Sequence, residues 1–134
     1  MNEMTSLSTL TTTLLHPARQ TAQALFAEVD GARAVVIATA DGFDLAHAGH
    51  QAIDPARLAA MVSSVSALGD AASRETGIGT PRYLVIESSD GRLVVRCMQV
   101  QQQALVAVVL TDKSVTLGFV LSHLAQAEQL MNAA

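Results

Sequence analysis

The stretch from Asp54 to Gly77 constrains this chain most, because both ends of a helix are marked in it. Asp54 precedes Pro55; an aspartate side chain can cap the first helical turn, and proline suits the first helical position. Gly77 supplies a residue that can end the helix in the left-handed conformation. The sequence therefore predicts a helix between these residues.

This helix has two different sides, and neither carries charge over residues 58–69. Small side chains let another backbone approach closely, and Gly69 costs about 1 kcal/mol relative to alanine inside a helix. We therefore predict that the helix is buried on both sides. The protein's own core covers one side, and another copy of the protein covers the other. The alternative is an alanine-rich helix that faces solvent. The predicted core stripe follows helical spacing and consists of Leu58, Met61, Val62, Val65, Leu68 and Ala72. The opposite side consists of the small residues Ala59, Ala60, Ser63, Ser66, Ala67 and Ala71.

The low share of charged residues supports association with another copy of the protein, and the composition excludes several classes of protein. Charged residues make up 15% of the 134 residues, against about 25% in typical domains. No apolar run approaches the roughly 20 residues that span a bilayer, and the first residues do not resemble a signal peptide. One cysteine offers no disulfide framework. A net charge of −4 without tryptophan disfavours nucleic-acid binding. We expect a soluble, cytoplasmic protein with no membrane span.

The rest of the chain predicts an α+β fold. Asp-Gly pairs at 41–42 and 90–91 mark hairpins, so the strands beside them pair antiparallel. Two strands apolar on both faces, 32–39 and 104–110, require helices on both sides of the sheet. The predicted order is αββαβββα, a three-layer α/β/α fold with a five-stranded antiparallel sheet. We expect an N-terminal extension at 1–16, frayed or a short helix, and one domain at 17–134. The remaining predicted elements are an opening helix from Pro17 to Val29, strands at 43–48, 82–88 and 92–98, a glutamine-rich connector from Gln99 to Gln103, and a last helix from Leu117 to Met131, capped by Ser114 or Thr116.

No motif indicates catalysis, a cofactor or a metal. His47 and His50 have a ligand-like spacing, but no further ligand lies near them in sequence, so we interpret them as exposed residues of an edge strand. Cys97 shares a strand face with Leu93 and Val95, which indicates a packing role. Phosphate-loop, serine-hydrolase and zinc-protease motifs are missing from the sequence.

Several stretches resemble the Roadblock/dynein-light-chain domain family, as found in bacteria, over about residues 17 to 131. Asp30–Phe43 resembles the family's helix end, valine-rich strand and Asp-Gly turn. Residues 58–72, then 84–87 with 90–91, and the helix after Asp112 follow in the family's order. These patterns contain no catalytic signature, so the resemblance depends on their joint order.

The resemblance implies a homodimer built from the second helix and third strand, which regulates or holds a Ras-like small GTPase. Arg57 and Arg74 are candidate partner-binding residues, but we do not assign either as an arginine finger, because regulators of this family reposition the GTPase's own residues. Two alternatives stay open: a small-molecule sensory module of profilin-like type and an enzyme with a dispersed site. Strands packed on both faces leave little room for the pocket that a sensory module needs. The predicted dimer interface consists of Ala59, Ala60, Ser63, Ser66, Ala67, Ala71, Tyr83 and Val85.

Overall fold

A computed structural model describes residues 3–50 and 52–133 of the chain, with side-chain burial given from residue 12 onward. Within these residues three helices and five strands follow the predicted order αββαβββα. None of the described helices is long and apolar enough to cross a membrane. The elements are α1 (Glu3–Glu28), β1 (Ala32–Thr39), β2 (Asp44–Gly49), α2 (Pro55–Thr76), β3 (Tyr83–Ser88), β4 (Gly91–Val100), β5 (Gln103–Asp112) and α3 (Leu117–Ala133).

The strands form one antiparallel sheet in the order β2-β1-β5-β4-β3. The predicted central place of β5 and edge place of β2 are confirmed. β1 lies between β2 and β5, as its apolar residues on both faces predicted. β3 forms the other edge, so one side of its backbone has no partner strand within the described residues.

Helices α1 and α3 cover one face of the sheet, and α2 lies on the other. The first face holds the larger core, in which α1, α3 and the sheet share fully buried side chains such as Leu14, Ile37 and Leu124. The second core is small and lies where α2 meets β1, β5 and β4, with Ala59 and Val62 packed on Val106 and Val108. The two cores lie on opposite sides of the same five strands.

Helix α1 begins earlier than the sequence predicted. It runs without interruption from Glu3 to Glu28, with Pro17 inside it rather than at its start. Proline has no N–H to donate and normally weakens a helix interior, but packing outweighs that preference here. Leu14 precedes Pro17 and is fully buried in the core shared with α3. Residues 12–16 therefore continue the first helix of the domain.

The link between β4 and β5 is shorter than the predicted connector. Val100 pairs with Gln103, which leaves a two-residue hairpin turn. Gln101 and Gln102 have φ angles of 51° and 67°, the left-handed values that such turns require and that asparagine and glycine normally supply. Asn132 of α3 holds this hairpin: its side chain donates to the Gln99 carbonyl at 2.9 Å and accepts from the Gln101 N–H at 3.4 Å.

Both predicted ends of α2 are confirmed. The Asp54 carboxylate accepts hydrogen bonds from the Ala56 and Arg57 N–H groups at 3.1 and 3.3 Å. At the other end Gly77 has a φ of 72°, and its N–H bonds to the Arg74 carbonyl at 3.2 Å. Side-chain and backbone caps thus fix where α2 starts and stops.

Candidate functional site

The side of α2 that faces the protein's own sheet combines Ala59 from the predicted small side with Val62 from the predicted core side, which corrects the predicted orientation of the helix. Ala59 is fully buried against the sheet, so it cannot lie on the outer surface. The Ser63 hydroxyl donates to the Ala40 carbonyl at 2.9 Å. A Cβ added at Gly69 would lie 2.8 Å from Leu84 Cδ2, so the close approach that glycine permits is to β3 of the same chain.

Two of the large residues of α2 face outward instead. Met61 is 59% exposed and Leu68 is 72% exposed, although both were predicted to pack in the core. Ala72 is exposed as well, while Val62 is buried and Leu58 is partly buried as predicted. The physical reason is that Ala59 and Gly69 let α2 lie close to the sheet, and the rotation of the helix that brings them inward turns other residues to the outside.

Edge strand β3 adds apolar side chains to the same face. Leu84 contacts Gly69 of α2, and alternation along the strand places Ile86, which is 44% exposed, on the same side. Tyr83 and Val85, predicted as interface residues, lie on the opposite side of the sheet. The Tyr83 hydroxyl accepts a hydrogen bond from Arg96, which also pairs with Glu128 of α3 at 2.8 Å.

We call the outer side of α2 together with the unpaired edge of β3 the α2–β3 face. Its apolar side chains are exposed, and residues 60, 67 and 71 of α2 are exposed beside them. Isolated exposed apolar residues are ordinary, but several together beside a free strand edge are typical of an interface. The large exposed members of the face are Met61, Leu68 and Ile86.

Arg57 and Arg74 lie at opposite ends of α2. Arg74 follows Arg57 by seventeen helical positions, which correspond to about 26 Å along the axis, so a small group of a partner cannot contact both in one protomer. Arg57 is exposed in the first turn. Arg74 is exposed in the last turn and pairs with Asp70 at 3.4 Å.

The structure does not bring the two candidate histidines into a metal site. His47 and His50 are both exposed, and the His50 ring contacts Phe26 edge-on with centroids 6.2 Å apart. Among the described residues no group of three or more histidine, cysteine, aspartate or glutamate side chains converges.

A cleft of about 430 Å³ lies between α2 and the ends of β4 and β5. The sequence did not predict it, because its walls come from five separate segments and from strands that are apolar on both faces. Cys97 is half-buried there, and burial raises the pKa of its thiol; the Asp70 carboxylate raises it further, while Arg96 lowers it. The residues that line the cleft include Ser66, Ala67, Asp70, Pro81, Cys97 and Val106.

Comparison with known proteins identifies one matching family model and several similar folds. The Roadblock/LC7 domain family model matches residues 19–110. The fold is similar to the gliding protein MglB from Thermus thermophilus, with a TM-score of 0.75 and 21% identity over 90% of this chain and 89% of that one. It is similar to Myxococcus xanthus MglB, with a TM-score of 0.72 and 19% identity over 92% and 87% of the two chains.

A Roadblock/LC7 domain from Streptomyces avermitilis is also similar, with a TM-score of 0.72 and 21% identity over 82% of this chain and 90% of that one. At these identities the likeness to solved structures establishes the fold alone. No curated protein matches the sequence at a significant level.

Proposed function

The chain belongs to the Roadblock/LC7 domain family, and we propose that it is a homodimeric regulator or scaffold for a Ras-like small GTPase. It acts through protein–protein binding and catalyses no reaction of its own. The observation that carries the proposal is the α2–β3 face, where an exposed apolar helix side adjoins an unpaired strand edge.

Dimerisation through this face covers the exposed apolar side of α2 and also pairs the free edge of β3. Two copies of β3 aligned antiparallel extend the five-stranded sheet across both chains and pair the free N–H and C=O groups of each edge. The outer sides of the two α2 helices then cover each other, which removes Met61 and Leu68 from water. A specific interface of this kind buries more than about 1,000 Å².

The GTPase is proposed from the family and binds across the paired α2 helices. Arg57 and Arg74 lie at the rim of that surface, where exposed charges mainly tune the rate of association. Regulation requires a preference for one nucleotide state, because a partner shifts an equilibrium only by its difference in affinity for the two states. As part of the same proposal, we expect this protein to work in the cytoplasm.

The test uses the full chain and the small GTPase encoded nearest to its gene. Calorimetry with the GTPase loaded with GDP, and then with a non-hydrolysable GTP analogue, measures the affinity for each state. We expect one state to bind about tenfold or more tightly, within the usual range of coupling energies.

A double variant, Arg57→Glu with Arg74→Glu, is expected to weaken that binding, mainly by slowing association. Arg19→Glu with Arg33→Glu is the matched control, because both residues are exposed and lie outside α2. Equal affinity for both nucleotide states would reduce the protein to a passive scaffold. Absence of binding would reject the GTPase as a partner of this protein. The proposed dimer has its own test, which is light scattering.

A further inference from the structure

The cleft between α2 and the ends of β4 and β5 has features of a binding site for a small molecule. Its volume of about 430 Å³ falls within the range of about 300–1,000 Å³ that ligand sites occupy. Ala67, Pro81 and Val106 supply apolar walls from three different segments. A few polar groups converge on these walls, which is the usual composition of a ligand site.

One polar atom in the cleft has no partner. The Ser66 hydroxyl oxygen is buried and makes no hydrogen bond with any described residue. Buried hydroxyls are nearly always bonded, so an unpaired one needs a partner that the chain itself does not supply. Because Ser66 lines the cleft, a ligand there lies next to the side chain that carries this unpaired oxygen.

Charge determines the class of ligand. Asp70 is the one charged residue that lines the cleft within the described part of the chain, and no basic side chain lines it. Burial raises the pKa of the Cys97 thiol, Asp70 raises it further and Arg96 lowers it, so Asp70 is close enough for its charge to act on a side chain of the cleft. Arg74 pairs with Asp70 at 3.4 Å from outside the cleft. A lining whose one charged side chain among the described residues is a carboxylate favours a cation and disfavours phosphates or carboxylates.

We propose that this cleft binds a small organic cation with an apolar body, its ammonium group on Asp70 and a second polar group at Ser66. The site goes beyond the proposed regulatory function and does not depend on any GTPase. The cleft is also where a small-molecule sensory module of profilin-like type, the alternative function, would bind its ligand.

The probe is phenethylamine, and phenylacetate serves as the matched anion because it carries the same ring and opposite charge. Each is titrated into the ¹⁵N-labelled full chain while amide shifts are followed by NMR. We expect phenethylamine to give saturable shifts at Ser66, Asp70 and Cys97, with a Kd in the millimolar range expected of so small a ligand. Phenylacetate should give none. Equal shifts with both probes, or no saturable shift with phenethylamine, would overturn the proposal.

Substitutions test the role of the carboxylate. Asp70→Asn is expected to weaken phenethylamine binding about tenfold, the usual loss when a charge-assisted hydrogen bond is removed. Glu75→Gln is the matched control, because it removes an acid from the same helix outside the cleft and should leave the Kd unchanged. An unchanged Kd in Asp70→Asn would reject the site.

A second variant distinguishes binding from a structural effect. Arg74 competes for Asp70, with which it pairs at 3.4 Å. Arg74→Gln should therefore tighten phenethylamine binding by about two- to fivefold, the range expected for an exposed ion pair, whereas Arg57→Gln should not. If the probe binds only a monomeric variant, a second copy of the chain covers the cleft and the proposal fails.

Discussion

The two faces of the sheet differ in how completely helices cover them. On one face α1 and α3 pack side by side, and the core beneath them includes fully buried residues from both helices. On the other face α2 alone covers part of the sheet, and its large side chains Met61 and Leu68 remain exposed. The chain places two helices on one side of five strands and one on the other.

This difference assigns different roles to the faces. Apolar burial provides most of the stability of a fold, so the face covered by α1 and α3 is the main source of stability. The α2–β3 face keeps apolar surface and a strand edge that a second chain can cover. Substitutions on the first face should therefore change the free energy of unfolding, and those on the second should change association.

The largest expected effect is on the covered face. Leu124→Ala removes a fully buried side chain of α3 and should lower the free energy of unfolding by about 2–5 kcal/mol. Leu130→Ala, on an exposed position of the same helix, is the control and should change it by less than about 0.5 kcal/mol. Urea denaturation measures both. A loss at Leu124 no larger than at Leu130 would contradict the division between the faces.

The next effect is on association. Ala67→Glu and Leu68→Glu each place a charge on the outer side of α2 and should convert the dimer to a monomer, because burying an unpaired carboxylate is unfavourable. Light scattering at micromolar concentration should give the 14.0 kDa of a single chain for either variant and twice that for the unaltered protein. Ala27→Glu, exposed on α1, should stay dimeric. If the unaltered protein is itself a monomer, the α2–β3 face is not a dimer interface and the two faces do not differ in the proposed way.

The smallest effect tests the hairpin that α3 holds on the covered face. Gln102→Gly should raise the free energy of unfolding by about 0.5–1 kcal/mol, because the positive φ at this position strains glutamine but not glycine. Gln99→Gly, in the extended part of β4, should lower it instead. If Gln102→Gly is also destabilising, contacts of the glutamine side chain outweigh the backbone strain.

The sequence predicted the fold where local signals and packing agree. The caps at Asp54 and Gly77 fixed α2, and apolar strands such as Ala32–Thr39 indicated inner positions in the sheet. The start of α1 was missed because Pro17 is a strong local signal for a helix start, while burial of Leu14 depends on α3, which lies far away in sequence.

The candidate site was predicted less well than the fold. Helical spacing over uncharged residues did not fix the rotation of α2 about its axis, and the buried stripe takes Ala59 from one predicted side and Val62 from the other. We assigned the large residues to the core, yet the distance between helix and sheet decided the outcome through Ala59 and Gly69. The cleft beside Asp70 requires the ends of several strands to meet, which no local pattern encodes.

The place of β5 in the sheet has a consequence for how the protein is made. β5 is the last strand to be synthesised, yet it joins β1 to β4 at the centre of the sheet. A nascent chain that has reached Val100 can form only two separate hairpins, each with an unpaired inner edge. Such edges and uncovered apolar surface favour aggregation during synthesis. Inserting β5 between the hairpins is therefore the step that ends this exposure.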